Sequence, residues 1–232
     1  MPRKRDRPAT REAVRETYDR IAAEFAGTRE HPWPEVRRFV ESAPRGRVGL
    51  DLGCGNARHA ELLAGRVDRT VGVDLSRAVL GTARSRATDR GFDVALVQAD
   101  AGTVPLAGGT VDIAVYVATL HHLPARADRI DSLNELARVL APAGGDTPGE
   151  ETGEGRALVS AWCVEHPTFD RSSAFDATVD WTLSDGDHVP RYYHVYDRSS
   201  FAADLEASAL AVVDRFVSDG NCYAVVGPRE AP

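Results

Sequence analysis

A glycine-rich segment with aspartates near it is the part of the sequence best suited to hold a ligand. Residues 48–56 read VGLDLGCGN, so a buried strand is expected to end near Asp51, with Gly53 and Gly55 following it. Glycine lets the backbone approach a ligand closely and accepts positive φ. Loops of the GxGxxG type hold a diphosphate, but Arg58 stands at the third glycine position here. The carboxylate of Asp51, two residues before the first glycine, repels a diphosphate and attracts a cationic ligand.

Two more aspartates follow at the expected ends of the next strands. Asp74 lies 19 residues after Gly55, where a carboxylate can bind both hydroxyls of a ribose. Asp100 ends the third strand, within reach of an adenine amino group. S-adenosylmethionine has an ammonium, a sulfonium, a ribose and an adenine, and no phosphate. The three aspartates therefore favour this methyl donor, and the alternative is a tight turn that binds nothing.

Short β-rich runs and helical patterns alternate around these residues. Five strands are expected, at residues 48–51, 70–74, 94–98, 111–118 and 156–161. Helices are expected at residues 59–64, between Ser76 and Gly91, and at residues 128–140. This alternation indicates an α/β fold with a parallel, doubly wound sheet and helices on both faces. Ligands bind such sheets at the carboxyl ends of the strands, where the aspartates stand.

The C-terminal part of the chain predicts a helix and a hairpin. The helix covers residues 201–209, and strand-like runs follow at 212–218 and 222–226. The dipeptide Asp219-Gly220 between these runs is a strong signal for a two-residue hairpin turn.

The first 45 residues are expected to form a helical cap. Apolar residues recur at helical spacing from Val14 through Tyr18 to Phe25, and Thr10 is a suitable N-cap. Residues 143–155, which are rich in glycine and acids, predict a flexible acidic loop.

Composition limits the class of protein further. The 232 residues carry 28 basic and 35 acidic side chains, a net charge of −7. Residues 1–47 hold 12 basic against 8 acidic residues, so a polyanion is attracted to this segment and repelled by much of the rest. There is no apolar run of about 18 residues, no apolar signal segment and no disulfide pattern among three separated cysteines. A single cytoplasmic domain over residues 1–232 is expected, with no membrane contact.

Four segments together resemble the class I S-adenosylmethionine-dependent methyltransferases. They read DLGCGN, GVDLS, QADAGTVPLAGGTVDIAV and ELARVLAPAGG. The resemblance implies a Rossmann-like seven-stranded sheet, mostly parallel, with an antiparallel C-terminal strand. The cofactor-binding residues expected on this basis are Asp51, Gly53, Gly55, Asp74, Leu75, Asp100, Ala101 and Val117.

Other segments look like a narrower family, the tRNA wobble-uridine carboxymethyl methyltransferases. The similarity lies in residues 18–40, in ATLHHL (118–123), in RYYHVY (191–196) and in DGNCYAVV (219–226). It implies methyl esterification of 5-carboxymethyluridine, or a close derivative, in the tRNA anticodon loop. It also implies a small zinc-binding activator protein, which pairs with an edge strand of the sheet. The apolar run at residues 94–97 is the expected edge strand.

The candidate reactive residues are interpreted with that resemblance in view. Expected in catalytic roles are Tyr18, Arg29 and His121, and expected at the acceptor are His122, Arg191, Tyr193 and His194. His121 is favoured over His122 to face the site, since neighbours on extended chain point oppositely. Each residue has a plainer alternative as core or surface, and no metal site is predicted. Basic residues expected to follow tRNA phosphates, or to be a solvated tail, are Arg3, Lys4, Arg5, Arg7, Arg11 and Arg15.

The chemistry expected is in-line displacement at a sulfonium methyl group. A carboxylate acceptor is already ionised at neutral pH, so the site needs groups that orient it rather than a general base. Two alternatives remain open at this stage. One is a methyltransferase for a small molecule such as a quinone-type ring, and the other is a cofactor-binding subunit without catalysis.

Overall fold

The computed structural model describes residues 9–143 and 153–229, and a seven-stranded sheet lies at its centre. The strands are β1 (Gly46–Leu52), β2 (Val67–Asp74), β3 (Ala95–Gln98), β4 (Ile113–Val117), β5 (Arg156–Trp162), β6 (Phe175–Thr182), β7 (His188–Val195), β8 (Leu210–Ser218) and β9 (Asn221–Pro228). The sheet order is β3-β2-β1-β4-β5-β9-β8, and β6 pairs with β7 in a separate ribbon. The pairs among β1 to β5 are parallel, and β9 runs antiparallel to both of its neighbours. This confirms the predicted sheet with its antiparallel C-terminal strand.

Six α-helices accompany the strands within the described ranges. They are α1 (Arg11–Gly27), α2 (Pro34–Ser42), α3 (Ala60–Ala64), α4 (Arg77–Arg90), α5 (Arg126–Val139) and α6 (Arg198–Glu206). Strand β4 is buried on both faces, because Ala114 and Tyr116 pack with α5 and α6 while Ile113 and Val115 pack with α2 and α3. A strand covered on both sides reads as an unbroken apolar run, which is why the sequence predicted it.

Local signals set the element ends much as predicted. Ser76 accepts a hydrogen bond from the Val79 amide at the start of α4, and Gly91 ends that helix in the left-handed region. Asp219 and Gly220 both have positive φ, at 44° and 69°, as a type I′ hairpin turn requires. The predicted α6 was placed about three residues too late, since Asp197 caps it and Glu206 ends it.

The ribbon of β6 and β7 was not predicted. Its sequence mixes acids with apolar residues and has a proline, Pro190, which is tolerated because the ribbon has free edges. It is tied to α1 by hydrogen bonds from Thr17 to the Pro190 carbonyl and from the Ser184 amide to Glu24. Helix α1 and the β6–β7 ribbon are thus held together as one unit next to the sheet, which we call the roof.

Some predictions fall on residues that the structure leaves undescribed. The basic residues Arg3, Lys4, Arg5 and Arg7, and residues 144–152 of the predicted acidic loop, lie outside the described ranges. In the described part of the chain, no helix combines the length and the apolar character needed to cross a bilayer.

Candidate active site

A cavity opens where the parallel strands end, beneath α1 and the β6–β7 ribbon. It has a volume of about 1210 Å³, including its mouth. Predicted site residues that line it are Tyr18, Arg29, Gly53, Gly55, Asp74, Leu75, Asp100, Ala101, Val117, His121, His122, Arg191 and Tyr193. Thirteen of the fifteen predicted positions thus meet around one space, and Asp51 and His194 do not line it.

The glycine loop is fixed by the strand next to it. The amides of Gly53 and Cys54 both donate to the Val73 carbonyl, at 2.7 and 2.9 Å. Gly53 has φ of 71°, and a Cβ there would collide with the Thr119 side chain. Gly55 also has positive φ, at 56°. Backbone at the cavity wall therefore comes close to any ligand in this part of the site.

Asp74 is held rigidly at the end of β2. Its Oδ2 accepts from the Gly55 amide and its Oδ1 accepts from the Ser76 amide, both at 2.9 Å. Burial raises the pKa of Asp74, and these backbone bonds oppose that effect. Each carboxylate oxygen has a second lone pair, so the carboxylate fits the two hydroxyls of a ribose.

Asp100 lies at the end of the cavity that is covered by the first turn of α1. Its Oδ1 accepts from Arg11 at 2.7 Å and from the Gly102 amide at 2.8 Å. Arg11 also pairs with Asp128 at 2.6 Å. The sequence suggested that Arg11 follows tRNA phosphates, but this ion-pair triad engages it inside the cavity wall.

Asp51 does not line the cavity, which corrects the expectation that it contacts a cationic ligand directly. It is buried, and its Oδ2 accepts from the Ala60 amide at 2.9 Å. Burial raises the pKa of Asp51 to about 7. Its place is therefore structural, between β1 and the start of α3.

His121 and His122 both line the cavity, because the chain there forms a 3-10 turn over Leu120–His122. The prediction that adjacent side chains point oppositely assumed extended chain and was wrong. Nδ1 of His121 accepts from the Trp162 amide at 2.9 Å, so the neutral ring carries its proton on Nε2. Nδ1 of His122 lies 2.9 Å from the Tyr192 carbonyl and must donate to it.

The second nitrogen of His122 is occupied as well. Its Nε2 lies 2.7 Å from the Tyr18 hydroxyl, which donates because Nδ1 holds the ring proton. Burial lowers the pKa of His122 to about 3 and holds the pKa of His121 well below its ordinary value. Both rings are neutral, and the free lone pair of each already accepts a hydrogen bond.

Two arginines and an aromatic stack form the other side of the cavity. Tyr193 stacks on Trp162 with ring centres 4.4 Å apart, and the Arg191 guanidinium lies 5.3 Å from the Tyr193 ring. Arg29 lies over Phe25 at 4.9 Å. Burial lowers the pKa of Arg29, and the positive charge of Arg191 acts in the same direction.

These arginines have no acidic partner among the described residues. No carboxylate oxygen of that set lies within 4 Å of Arg29 or Arg191, and the buried Nε of Arg191 makes no hydrogen bond. Arg191 is buried and Arg29 is half-buried, and a buried cation without a counter-ion is costly. The arrangement is suited to an anionic ligand.

His194 faces away from the cavity, contrary to its predicted role. Alternate residues of a strand point to opposite faces, so His194 is opposite to Arg191 and Tyr193 on β7. Its Nδ1 lies 2.8 Å from an Asp176 carboxylate oxygen instead.

Several cavity residues were not predicted. They are Trp33, Asn56, Arg58, His59 and Trp162, among others. Trp162 ends β5, so the rule that ligands bind at strand ends could have found it. Trp33 and Arg58 come together only in the folded chain, with the guanidinium 5.1 Å from the indole ring.

Away from the cavity, three side chains with metal-ligating atoms lie together. The sulfur atoms of Cys163 and Cys222 and a carboxylate oxygen of Glu165 are within 4.8 Å of one another. Hydrogen bonding to Cys222 and burial raise the pKa of the Cys163 thiol, and Arg198 pairs with Glu165 at 2.7 Å. Sequence spacing did not predict this cluster.

The chain is similar in sequence to known methyltransferases. Residues 50–145 match the family described as Methyltransferase domain. The tRNA (carboxymethyluridine(34)-5-O)-methyltransferase of Schizosaccharomyces pombe is 25% identical, over 92% of this chain and 95% of that protein. The mouse tRNA (carboxymethyluridine(34)-5-O)-methyltransferase ALKBH8 is 30% identical over 70% of this chain. This chain spans only 22% of the mouse protein.

Solved structures share the fold. The Burkholderia thailandensis 1,6-didemethyltoxoflavin-N1-methyltransferase with bound S-adenosylhomocysteine has a TM-score of 0.72 at 17% identity, over 99% of this chain and 94% of that one. A methyltransferase chain in complex with the Haloferax volcanii Trm112 methyltransferase activator has a TM-score of 0.68 at 17% identity, over 94% of this chain and 99% of that one. Residues 50–145 thus match a methyltransferase domain, the chain has the fold of the S-adenosylmethionine-dependent methyltransferases, and its sequence is similar to those of tRNA (carboxymethyluridine(34)-5-O)-methyltransferases.

Proposed function

We propose that this chain transfers a methyl group from S-adenosylmethionine to the carboxylate of 5-carboxymethyluridine, or a close derivative, at the wobble position of tRNA. One observation carries the proposal: the polar groups on the acceptor side of the cavity are cations and hydrogen-bond donors. Arg29, Arg191 and the Nε2–H of His121 all line it. The ring-nitrogen lone pairs of His121 and His122 each already accept a hydrogen bond.

A site of this kind suits an acceptor that needs no deprotonation. Carboxylic acids ionise with a pKa of about 4, whereas a phenol has a pKa of about 10 and needs a base near neutrality. Neither His121 nor His122 can remove a proton without first losing a hydrogen bond. Hydrogen-bond donors do not remove the proton of a phenol, but they can orient a carboxylate. This favours the carboxylate over the quinone-type alternative.

The methyl donor supplies an electrophilic methyl group on its sulfonium. In the proposed complex Asp74 holds the ribose, Asp100 lies at the adenine and the backbone of Gly53 and Gly55 lies along the rest of the donor. What this chain then contributes is alignment and the exclusion of water, by placing the acceptor carboxylate in line with the methyl group. Arg29 orients that carboxylate, and the roof of α1 and the ribbon closes the cavity.

Recognition of a nucleobase is supported by the aromatic wall. The parallel rings of Trp162 and Tyr193, with the Arg191 guanidinium beside them, resemble surfaces on which proteins stack an unpaired base. The similar mouse and Schizosaccharomyces pombe proteins are tRNA methyltransferases, which favours a tRNA substrate here. A tRNA substrate is consistent with action in the cytoplasm.

We further propose that a small zinc-binding activator protein pairs with β3. This strand is outermost in the sheet, as predicted from residues 94–97, and an unpaired edge strand can accept another strand. The Haloferax volcanii neighbour of similar fold is a complex with the Trm112 methyltransferase activator. Poor solubility of this chain alone, relieved by such a partner, is the expected result.

The test is methylation of defined RNA by the chain together with such an activator. The acceptor is tRNA with 5-carboxymethyluridine at the wobble position, and the control is the same tRNA with uridine. Nucleoside mass spectrometry should detect a methyl ester only on the first RNA, and mild alkali should remove it. Methylation of small hydroxylated rings without RNA would support a small-molecule methyltransferase instead. Binding of the methyl donor with no product on any acceptor would support a cofactor-binding subunit without catalysis.

A further inference from the structure

Another arginine, Arg58, lines the same cavity on the side of α2. Arg58 is only 9% exposed, and its guanidinium lies 5.1 Å from the Trp33 ring. Its one hydrogen bond within the described residues is a long one, from Nη1 to the His31 carbonyl at 3.4 Å. The cation is therefore buried with little to balance its charge.

No described carboxylate forms an ion pair with Arg58. Asp51 is near enough to influence the pKa of Arg58, but its oxygens lie beyond 4 Å and one accepts from the Ala60 amide. Burial, together with the charge of Arg29, lowers the pKa of Arg58 to about 10. The guanidinium is still charged at neutral pH, so the folded chain pays a desolvation cost that an anionic ligand would offset.

A second polar group without a partner lies beside it. His59 is 5% exposed and lines the cavity, yet its Nε2 makes no hydrogen bond to any described residue. Its ring centre is 6.4 Å from that of Trp33. Burial holds the pKa of His59 well below its ordinary value, so the ring is neutral and has one N–H to donate.

The number of cations exceeds what the proposed reaction needs. S-adenosylmethionine has one carboxylate and the acceptor base has another, and Arg29 and Arg191 are enough to face these two. Arg58 remains, and the only other anionic groups of the proposed acceptor are the phosphates of its backbone. Guanidinium groups match phosphate oxygens with two parallel hydrogen bonds.

We propose that Arg58 binds a phosphate flanking the acceptor nucleoside, with the Nε2–H of His59 as a second donor to the same phosphate. The inference rests on the proposed function, and it makes the substrate a nucleotide within a chain rather than a free nucleoside. Arg58 would position the nucleotide while Arg29 and Arg191 face the two carboxylates.

The test combines one protein change with one change in the RNA. The substrates are anticodon stem-loops with 5-carboxymethyluridine in which either flanking phosphate is replaced by a neutral methylphosphonate. With the unchanged chain, one of the two replacements should lower kcat/KM about tenfold or more, mainly through KM. Arg58→Ala should lower kcat/KM similarly on the unmodified RNA and show no further loss with that methylphosphonate.

The controls separate this inference from the proposed function. Arg37→Ala, which removes an exposed arginine of α2 that pairs with Glu41, should respond to the methylphosphonates as the unchanged chain does. If Arg58→Ala folds poorly, Arg58→Lys can be used instead, because it keeps the charge without the planar guanidinium. The methylphosphonate should then lower kcat/KM less than it does with the unchanged chain. If the loss from Arg58→Ala and the loss from the methylphosphonate multiply at both flanking positions, the inference about Arg58 is wrong and the proposed function is unaffected. Failure of the unchanged chain on the unmodified RNA would overturn the proposed function and the inference with it.

Discussion

Replacing Asp74 separates its role toward the cofactor from its role in the fold. In Asp74→Asn the side chain keeps its shape but loses its charge and half of its acceptor capacity. Two charge-assisted hydrogen bonds to ribose hydroxyls are worth about 1.5–3 kcal/mol each. Their loss should raise the Kd for S-adenosylhomocysteine by about two to four orders of magnitude. The fold should lose less stability than in Asp74→Ala, since the carboxamide oxygen still accepts from one of the amides of Gly55 and Ser76.

Asp74→Ala gives the contrasting result. It removes the acceptor for the amides of Gly55 and Ser76, so the free energy of unfolding should fall by about 1–3 kcal/mol in addition to the loss of cofactor. Calorimetric titration with S-adenosylhomocysteine and urea unfolding measure the two effects. Asp74→Asn with unchanged cofactor affinity would refute the assignment of Asp74 to the ribose.

Three further substitutions test separate parts of the site. Arg29→Ala should lower kcat for methyl transfer about a hundredfold with cofactor affinity nearly unchanged, and normal turnover on carboxymethyluridine RNA would contradict its orienting role. Tyr18→Phe removes the donor to His122, so urea unfolding should show a loss of about 1–3 kcal/mol; no loss would mean that this hydrogen bond is absent. Gly53→Ala places a Cβ against Thr119 at positive φ and should cost more than about 1 kcal/mol of stability. Thr119→Ala should restore part of that stability in the double variant, and full additivity of the two changes would argue against the clash.

The central fold followed from local features of the sequence. Strands such as β4 are covered on both faces and read as short apolar runs, and residues such as Ser76 and Gly91 mark helix ends directly. Aspartates after successive strands then had to meet at one edge, and Asp74 and Asp100 do so at the cavity wall. Asp51 lies within β1 instead, where it accepts from the Ala60 amide and does not line the cavity.

Features that depend on distant segments were not predictable in this way. The orientation of His121 and His122 depends on a 3-10 turn in which His121 accepts a hydrogen bond from β5 and His122 donates one to β7. The sequence of residues 118–123 alone is compatible with extended chain. His194 was predicted at the acceptor together with Tyr193 because β7 was not predicted, and neighbours on a strand point to opposite faces. Arg58 meets Trp33 only because α2 packs beside the glycine loop.

In the proposed reaction the cavity orients an acceptor that is already ionised, and neither His121 nor His122 serves as a base. The pKa values of His121 and His122 are lowered by burial, so both rings stay neutral at every pH above about 6. The most direct measurement is the single-turnover rate of methyl transfer to carboxymethyluridine RNA from about pH 6 to about pH 9, with the activator present. The account predicts a flat profile. A rate that rises tenfold per pH unit over part of that range would contradict it, because it would mean that a proton must be removed before the methyl group is transferred.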